Sequence, residues 1–207
     1  MNYSKILNPF TYIAGTKTLV WGVGGIVITS IFACFGPIHL DGALDIHIGL
    51  NNYSSDFWSI GQNLLFLSEG LINWIIISGI LYVSSVILSK SKVRIVDVLG
   101  TQAFARLPLF LSVFIGAFTP LEKASAYVLH EFANMGNEVD INPVQLGLFI
   151  LFMLSTITSI IWMVIWMYKA YTISANLKGT KAIVSFIVSV LLSEIITKTI
   201  IYFLINK

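Results

Sequence analysis

The chain has 207 residues, of which 57% are hydrophobic and only 11% are charged, and its mean hydropathy is +0.87. A soluble domain carries about 25% charged residues, so this composition excludes a soluble enzyme, a disordered chain and a coiled coil. The net charge of +2 is too small for a nucleic-acid-binding surface. The single cysteine, Cys34, excludes an intrachain disulfide and a cysteine zinc cluster. What remains is an all-α polytopic membrane protein.

Five apolar stretches are long enough to cross a bilayer, which takes about 20 residues in a helix. They form a single membrane domain over residues 1–207, with spans predicted at about 18–37, 59–89, 103–119, 143–168 and 181–205. The third span is the shortest. It reaches 17 residues from Ala103 to Thr119, provided that the Arg106 side chain extends to the interface.

The charges between the spans predict the orientation of the chain. With the N-terminus in the cytoplasm, the inner segments hold nine of the twelve basic residues: Lys5, Lys17, Lys90, Lys92, Arg94, Arg106, Lys169, Lys178 and Lys181. The outer segments hold Lys123 and Lys207 together with most of the acidic residues. Because basic residues concentrate on the cytoplasmic side of membrane proteins, we expect the N-terminus inside and the C-terminus outside.

The segments between the spans carry local signals of their own. Apolar residues recur at helical spacing from Leu121 to Phe132, which predicts an amphipathic helix on the outer membrane surface. Asn142 followed by Pro143 is typical of a helix start. Gly179 is typical of a helix end in the small polar loop before span five.

The first outer loop contains a possible set of metal ligands, namely His39, Asp41, Asp45 and His47. Two imidazoles and two carboxylates could hold a divalent ion, but their spacing matches no structural zinc motif. We therefore favour a solvated acidic loop without metal, and we expect no cofactor.

Polar residues inside two of the spans are the main candidates for function. Span two carries Gln62, Glu69 and Asn73 on one helix face, which indicates either a solvated helix extension or a polar pathway. Span five carries Glu194 and Lys198 four residues apart. A charge at the bilayer centre costs about 2.5–3.5 kcal/mol, whereas an exposed pair of this spacing returns only about 0.3–0.5 kcal/mol. We therefore expect both groups to face the bundle interior, as a structural pair or as functional groups.

The stretch from Val93 to Pro108 carries a resemblance to a known family. Together with Asn8-Pro9-Phe10, the five spans and the small polar loop before span five, it resembles the bacterial branch of the Yip domain (Ypt/Rab-interacting) membrane proteins over residues 8–205. The motif positions are Asp97, Gly100, Gln102, Arg106 and Pro108. The resemblance implies an integral membrane protein without known catalysis, whose eukaryotic relatives are tied to vesicle traffic, membrane shaping and Rab GTPase binding.

These observations favour a non-enzymatic protein of the bacterial inner membrane that organises lipids or partner proteins. Its expected partners are membrane lipids, a second copy of the chain or another membrane protein. The alternative is a small oligomeric transporter or channel in which Glu69, Asn73, Glu194 and Lys198 line a pathway. An enzyme ranks third, because no nucleophile–base pair, metal motif or glycine-rich phosphate loop stands out.

The orientation can be tested by cysteine labelling in intact cells, after Cys34 has been replaced. A membrane-impermeant reagent should modify a cysteine at Asn137 and spare one at Lys92, because the first lies in an outer segment and the second in an inner one. The reverse labelling pattern would overturn the orientation.

Overall fold

A computed structural model describes residues 8–36, 38–40, 42, 44, 46–48, 60–133 and 140–205, and most of them are helical. A 3₁₀ turn at Pro9–Thr11 precedes the first long helix. The helices are α1 Thr16–Phe35, α2 Ile60–Leu88, α3 Ile95–Ala105, α4 Leu109–Ala117, α5 Leu121–Ala133, α6 Pro143–Ala175 and α7 Gly179–Ile205. Two short strands, β1 (Ile38–His39) and β2 (His47–Ile48), pair antiparallel between α1 and α2.

Within the described residues, five helical segments are long and apolar enough to cross a membrane, which confirms the predicted all-α, five-span architecture. They are Thr16–Phe35, Leu64–Leu88, Ile95–Ala117, Pro143–Ala175 and Gly179–Phe203. The third segment is 61% buried against 28–33% for the other four. This segment, made of α3 and α4, therefore lies at the centre of the bundle.

The third span begins earlier than the sequence indicated. Its helix starts at Ile95, so most of the stretch taken for an inner loop and helix entry is already helical. The helix is interrupted at Arg106–Pro108, because proline has no N–H to donate and clashes with the preceding turn. Tighter bonds bridge the break, from Leu107 N to Phe104 O at 3.1 Å and from Leu109 N to Arg106 O at 3.0 Å.

Helices α1 and α3 pack closely because glycines stand at their contact. A Cβ atom on Gly22 would lie 2.6 Å from the Ala103 carbonyl carbon, and one on Gly100 would lie 2.7 Å from the Thr18 hydroxyl. Small residues allow helix backbones to approach in this way inside a membrane. The close position of α3 beside α1 therefore requires glycine, which has no side chain, at both contact sites.

The ends of α6 agree only partly with the sequence signals. Asn142 caps its start as predicted, since its side chain accepts a hydrogen bond from Gln145 N at 2.8 Å. The helix ends at Asn176, which adopts a left-handed conformation with φ of 49°. Gly179 was wrongly placed as a helix end, because it is the first residue of α7. Asn tolerates the left-handed region through its short polar side chain, so it ends α6 in place of glycine.

The amphipathic segment after α4 is helical as predicted, over Leu121–Ala133. Leu121 and Ala124 are buried on the side facing the bundle, whereas Phe132 is 82% exposed. Its position at the membrane surface stays a prediction.

Replacing Gly22 by leucine should destabilise the protein by about 1–3 kcal/mol or more, because the new side chain meets the backbone of α3. Gly24→Leu on the same helix is the matched control, since a Cβ there has no neighbour within 4 Å among the described residues. Thermal unfolding in detergent measures both. Equal melting temperatures for the two variants would contradict the close α1–α3 contact.

Candidate functional site

The described part of the connection between α1 and α2 packs into the bundle and contains the paired strands β1 and β2. It is here called the hairpin and comprises residues 38–40, 42, 44 and 46–48. Ile38, His39 and Leu40 are buried, with exposures of 0%, 5% and 5%. Farther along the hairpin, Leu44 and Ile46 pack against the main hydrophobic cluster. Backbone groups that are removed from solvent in this way need hydrogen-bond partners, and side chains of the helices bond to four of them.

Glu69 on α2 holds the first arm of the hairpin. Its Oε1 lies 2.8 Å from His39 Nδ1, and its Oε2 accepts a hydrogen bond from Leu40 N at 3.3 Å. The His39 ring also stacks on Phe66, with ring centroids 4.7 Å apart. Glu69 is 1% exposed, so the interpretation of this part of α2 as a solvated extension is wrong. His39 is also buried, at 5% exposed, so the interpretation of the first outer loop as solvated is wrong for this residue.

Asn73 lies one turn farther along the same face of α2 and uses both ends of its amide. Nδ2 donates to the Leu40 carbonyl at 3.1 Å and also to the Gly42 carbonyl. Oδ1 accepts from Arg106 Nη2 at 3.1 Å. A primary amide has two N–H donors and one acceptor oxygen, so each part of the Asn73 amide has a partner.

Arg106 occupies the break between α3 and α4, inside the bundle. Its side chain was expected to extend to the interface, and this expectation is wrong, because the residue is only 5% exposed. The side chain points instead toward Asn73 on α2. The shortness of the apolar stretch suggested an interfacial arginine, whereas the helix in fact continues on both sides of the break.

Glu194 on α7 holds the far part of the hairpin. Its Oε2 accepts from Leu44 N at 3.1 Å, and its Oε1 lies 3.5 Å from Lys198 Nζ. The predicted i,i+4 pair therefore exists. The Lys198 side chain is nevertheless 46% exposed and that of Glu194 22%, so the expectation that both face the interior was wrong for Lys198. A long lysine side chain can keep its charge at the surface while its stem packs.

The structure brings some of the candidate residues together and separates the others. The hairpin is surrounded by four of them, namely Glu69, Asn73, Arg106 and Glu194. The other motif positions act within the helix packing. Asp97 pairs with Arg94 at 3.7 Å, Gly100 packs on α1, Gln102 Nε2 donates to the Met167 carbonyl at 3.1 Å, and Pro108 begins α4.

Part of the possible metal-ligand set lies outside the described residues, namely Asp41, Asp45 and the side chain of His47, as does the side chain of Gln62. Among the residues that are described, no three His, Cys, Asp or Glu side chains are placed to hold a metal ion. His39 instead contacts a carboxylate.

No family model matches the chain, and neither does any curated protein or solved structure. The Yip resemblance therefore rests on the sequence motifs alone. The arrangement around the hairpin has to be interpreted from its own geometry.

Asn73→Leu should strongly destabilise the protein, because it leaves the Leu40 and Gly42 carbonyls and an Arg106 N–H without their partner. Each buried polar group left in this state costs about 1–3 kcal/mol. We expect a large fall of the melting temperature in detergent. Ser68→Ala is the control on the same helix, since that hydroxyl donates to the Leu65 carbonyl of its own helix. A melting temperature like that of the control would show that Asn73 does not hold the hairpin.

Lys198→Met should change stability by less than about 1 kcal/mol, because exposed ion pairs contribute little. Glu194→Leu should cost more, since it also removes the acceptor of Leu44 N. A double-mutant cycle on unfolding free energy measures the coupling between the two residues. A coupling of about 3 kcal/mol, typical of a buried pair, would contradict the exposed position of Lys198.

Proposed function

We propose that this chain is a non-enzymatic, multi-pass protein of the bacterial inner membrane that organises lipids or partner proteins, as its resemblance to Yip domain proteins implies. One observation carries the proposal. Three of the four polar residues suggested as a pathway, Glu69, Asn73 and Glu194, bond to the backbone of the hairpin. Their hydrogen bonds thus serve to hold a fixed structural element.

The position of the charges supports a role at the lipid surface. The end of the bundle opposite the hairpin carries six exposed basic residues, namely Lys17, Lys90, Lys92, Arg94, Lys178 and Lys181. A basic residue close to an anionic membrane surface contributes about 1 kcal/mol of attraction. Anionic phospholipid headgroups are therefore the first class of partner to test, ahead of a second copy of the chain.

The transporter or channel alternative has weaker support. A small cavity lies beside the hairpin, and it is lined by Ile26, Thr29, Leu40, Gly70, Arg106 and Leu109. None of the four pathway candidates is among these six residues. Moreover, the half-exposed Lys198 is directed away from a common interior path.

Lipid preference can be measured through Trp21, which is 70% exposed on α1 near the basic end. In nanodiscs, brominated phosphatidylglycerol should quench Trp21 fluorescence more than brominated phosphatidylcholine at equal mole fraction, because the basic residues enrich anionic lipid nearby. The preference should fall in Lys92→Gln/Arg94→Gln and persist in Lys123→Gln, which lies at the other end. The difference in fluorescence between the wild type and Trp21→Phe gives the part of the emission that comes from Trp21.

Equal quenching by both lipids in the wild type would contradict the proposed lipid role. Proteoliposomes test the alternative on the same preparation. Proton or ion flux above that of empty vesicles, abolished by Glu194→Gln, would favour the transporter. Flux equal to that of empty vesicles is the result we expect.

A further inference from the structure

Arg106 carries a buried charge, and Glu194 acts on it only at a distance. The side chain is 95% removed from solvent, and its Nη2 donates to a neutral amide, that of Asn73. In the described part of the chain, no carboxylate lies within 4.0 Å of its guanidinium. A buried cation without a close counter-charge is strongly disfavoured in a low-dielectric interior.

The two acidic residues of this region are already engaged elsewhere. Glu69 contacts His39 Nδ1 and accepts from Leu40 N. Glu194 contacts Lys198 Nζ and accepts from Leu44 N. Both carboxylates are therefore committed to the hairpin and its neighbours, and Arg106 is left without a carboxylate in direct contact.

A cavity of about 10 Å³ adjoins Arg106 and is otherwise lined by Leu40, apolar groups of α1, α2 and α4, and Thr29. This is room for roughly one small particle. The Nε–H of Arg106 is buried and has no hydrogen-bond partner. The Ser30 hydroxyl, which lies close to Gly70 in the cavity wall, is also buried and without a partner.

We propose that this cavity binds one monovalent anion of halide size, held by the Nε–H of Arg106. The two groups beside the cavity that lack partners, the Arg106 Nε–H and the Ser30 hydroxyl, can both donate to an anion. The first of them also belongs to a charged guanidinium, which attracts an anion more strongly than a neutral water molecule.

The size of the cavity and its apolar wall define the class of ligand. Phosphate, sulfate and carboxylates exceed a space for one small particle. A halide needs no directional set of partners and gains from the full charge of the guanidinium in a low dielectric. Chloride is accordingly the probe to use first.

The test compares two glycines of α2. A methyl group on Gly70 would stand 3.2 Å from Ile26 Cγ2 and 2.8 Å from the Ser30 hydroxyl, so it narrows the cavity while Arg106 stays in place. Gly79→Ala is the matched control, because a Cβ there meets no described atom within 4 Å. The protein is purified in sodium gluconate, and chloride replaces gluconate at constant ionic strength while thermal unfolding in nanodiscs is followed.

We expect the melting temperature of the wild type and of Gly79→Ala to rise with chloride and to saturate, since a ligand that binds only the folded state stabilises it. Gly70→Ala should show no such rise. A chloride response that is absent from the wild type, or that is unchanged in Gly70→Ala, would overturn the proposal and leave water as the occupant.

A second measurement does not depend on how well the variant folds. Crystals of the wild type grown with bromide in place of chloride should show one anomalous peak next to Arg106 Nε, inside the bundle. Anomalous density confined to the protein surface would overturn the proposal.

Discussion

Non-helical backbone inside an apolar bundle has to find hydrogen-bond partners, and this constraint explains Glu69, Asn73 and Glu194 in the spans. A bilayer offers no water to exposed N–H and C=O groups, so irregular backbone survives at membrane depth only where protein satisfies it. Outside the two short strands, several described backbone groups of the hairpin bond to side chains of the helices. Glu69 and Asn73 from α2 and Glu194 from α7 bond to four of its backbone groups, between Leu40 and Leu44.

The break in the third span belongs to the same arrangement. Pro108 prevents a continuous helix, and the turn before it places Arg106 in the middle of the most buried span. From there the guanidinium reaches Asn73 and fixes the oxygen of the amide that holds the hairpin. The close approach of α1 to α3, which Gly22 and Gly100 allow, brings this span against its neighbour. The helix break, the glycine contact and the hairpin therefore depend on one another in the packing of the bundle.

The five helices able to span a membrane could be predicted from the sequence, because length and hydropathy are the features that mark such helices. The start of the third span could not, since Arg106 interrupts the charge-free stretch and Asp97 bounds it, although the helix runs through both Asp97 and the residues before it to Ile95. The shared face of Glu69 and Asn73 was visible in their spacing of four. Their role was not, because it depends on contacts with residues about 30 positions away.

The hairpin itself was indicated in the sequence only by the turn signal Asp41-Gly42. His39 stood out as a possible metal ligand, and only the folded chain places it on Phe66 and Glu69. A loop that packs back on its own bundle is specified by the surface that receives it. In this protein that surface is the buried face of α2, with its carboxylate and amide one turn apart.

Hydrogen exchange of the wild-type protein in nanodiscs tests the central claim most directly. The amides of Leu40 and Leu44 lie outside the helices and strands, yet they donate to buried or half-buried carboxylates. They should therefore exchange as slowly as amides in the surrounding helices, because the bundle must open before they meet water. Exchange at the rate of a solvated loop would contradict a hairpin held within the bundle.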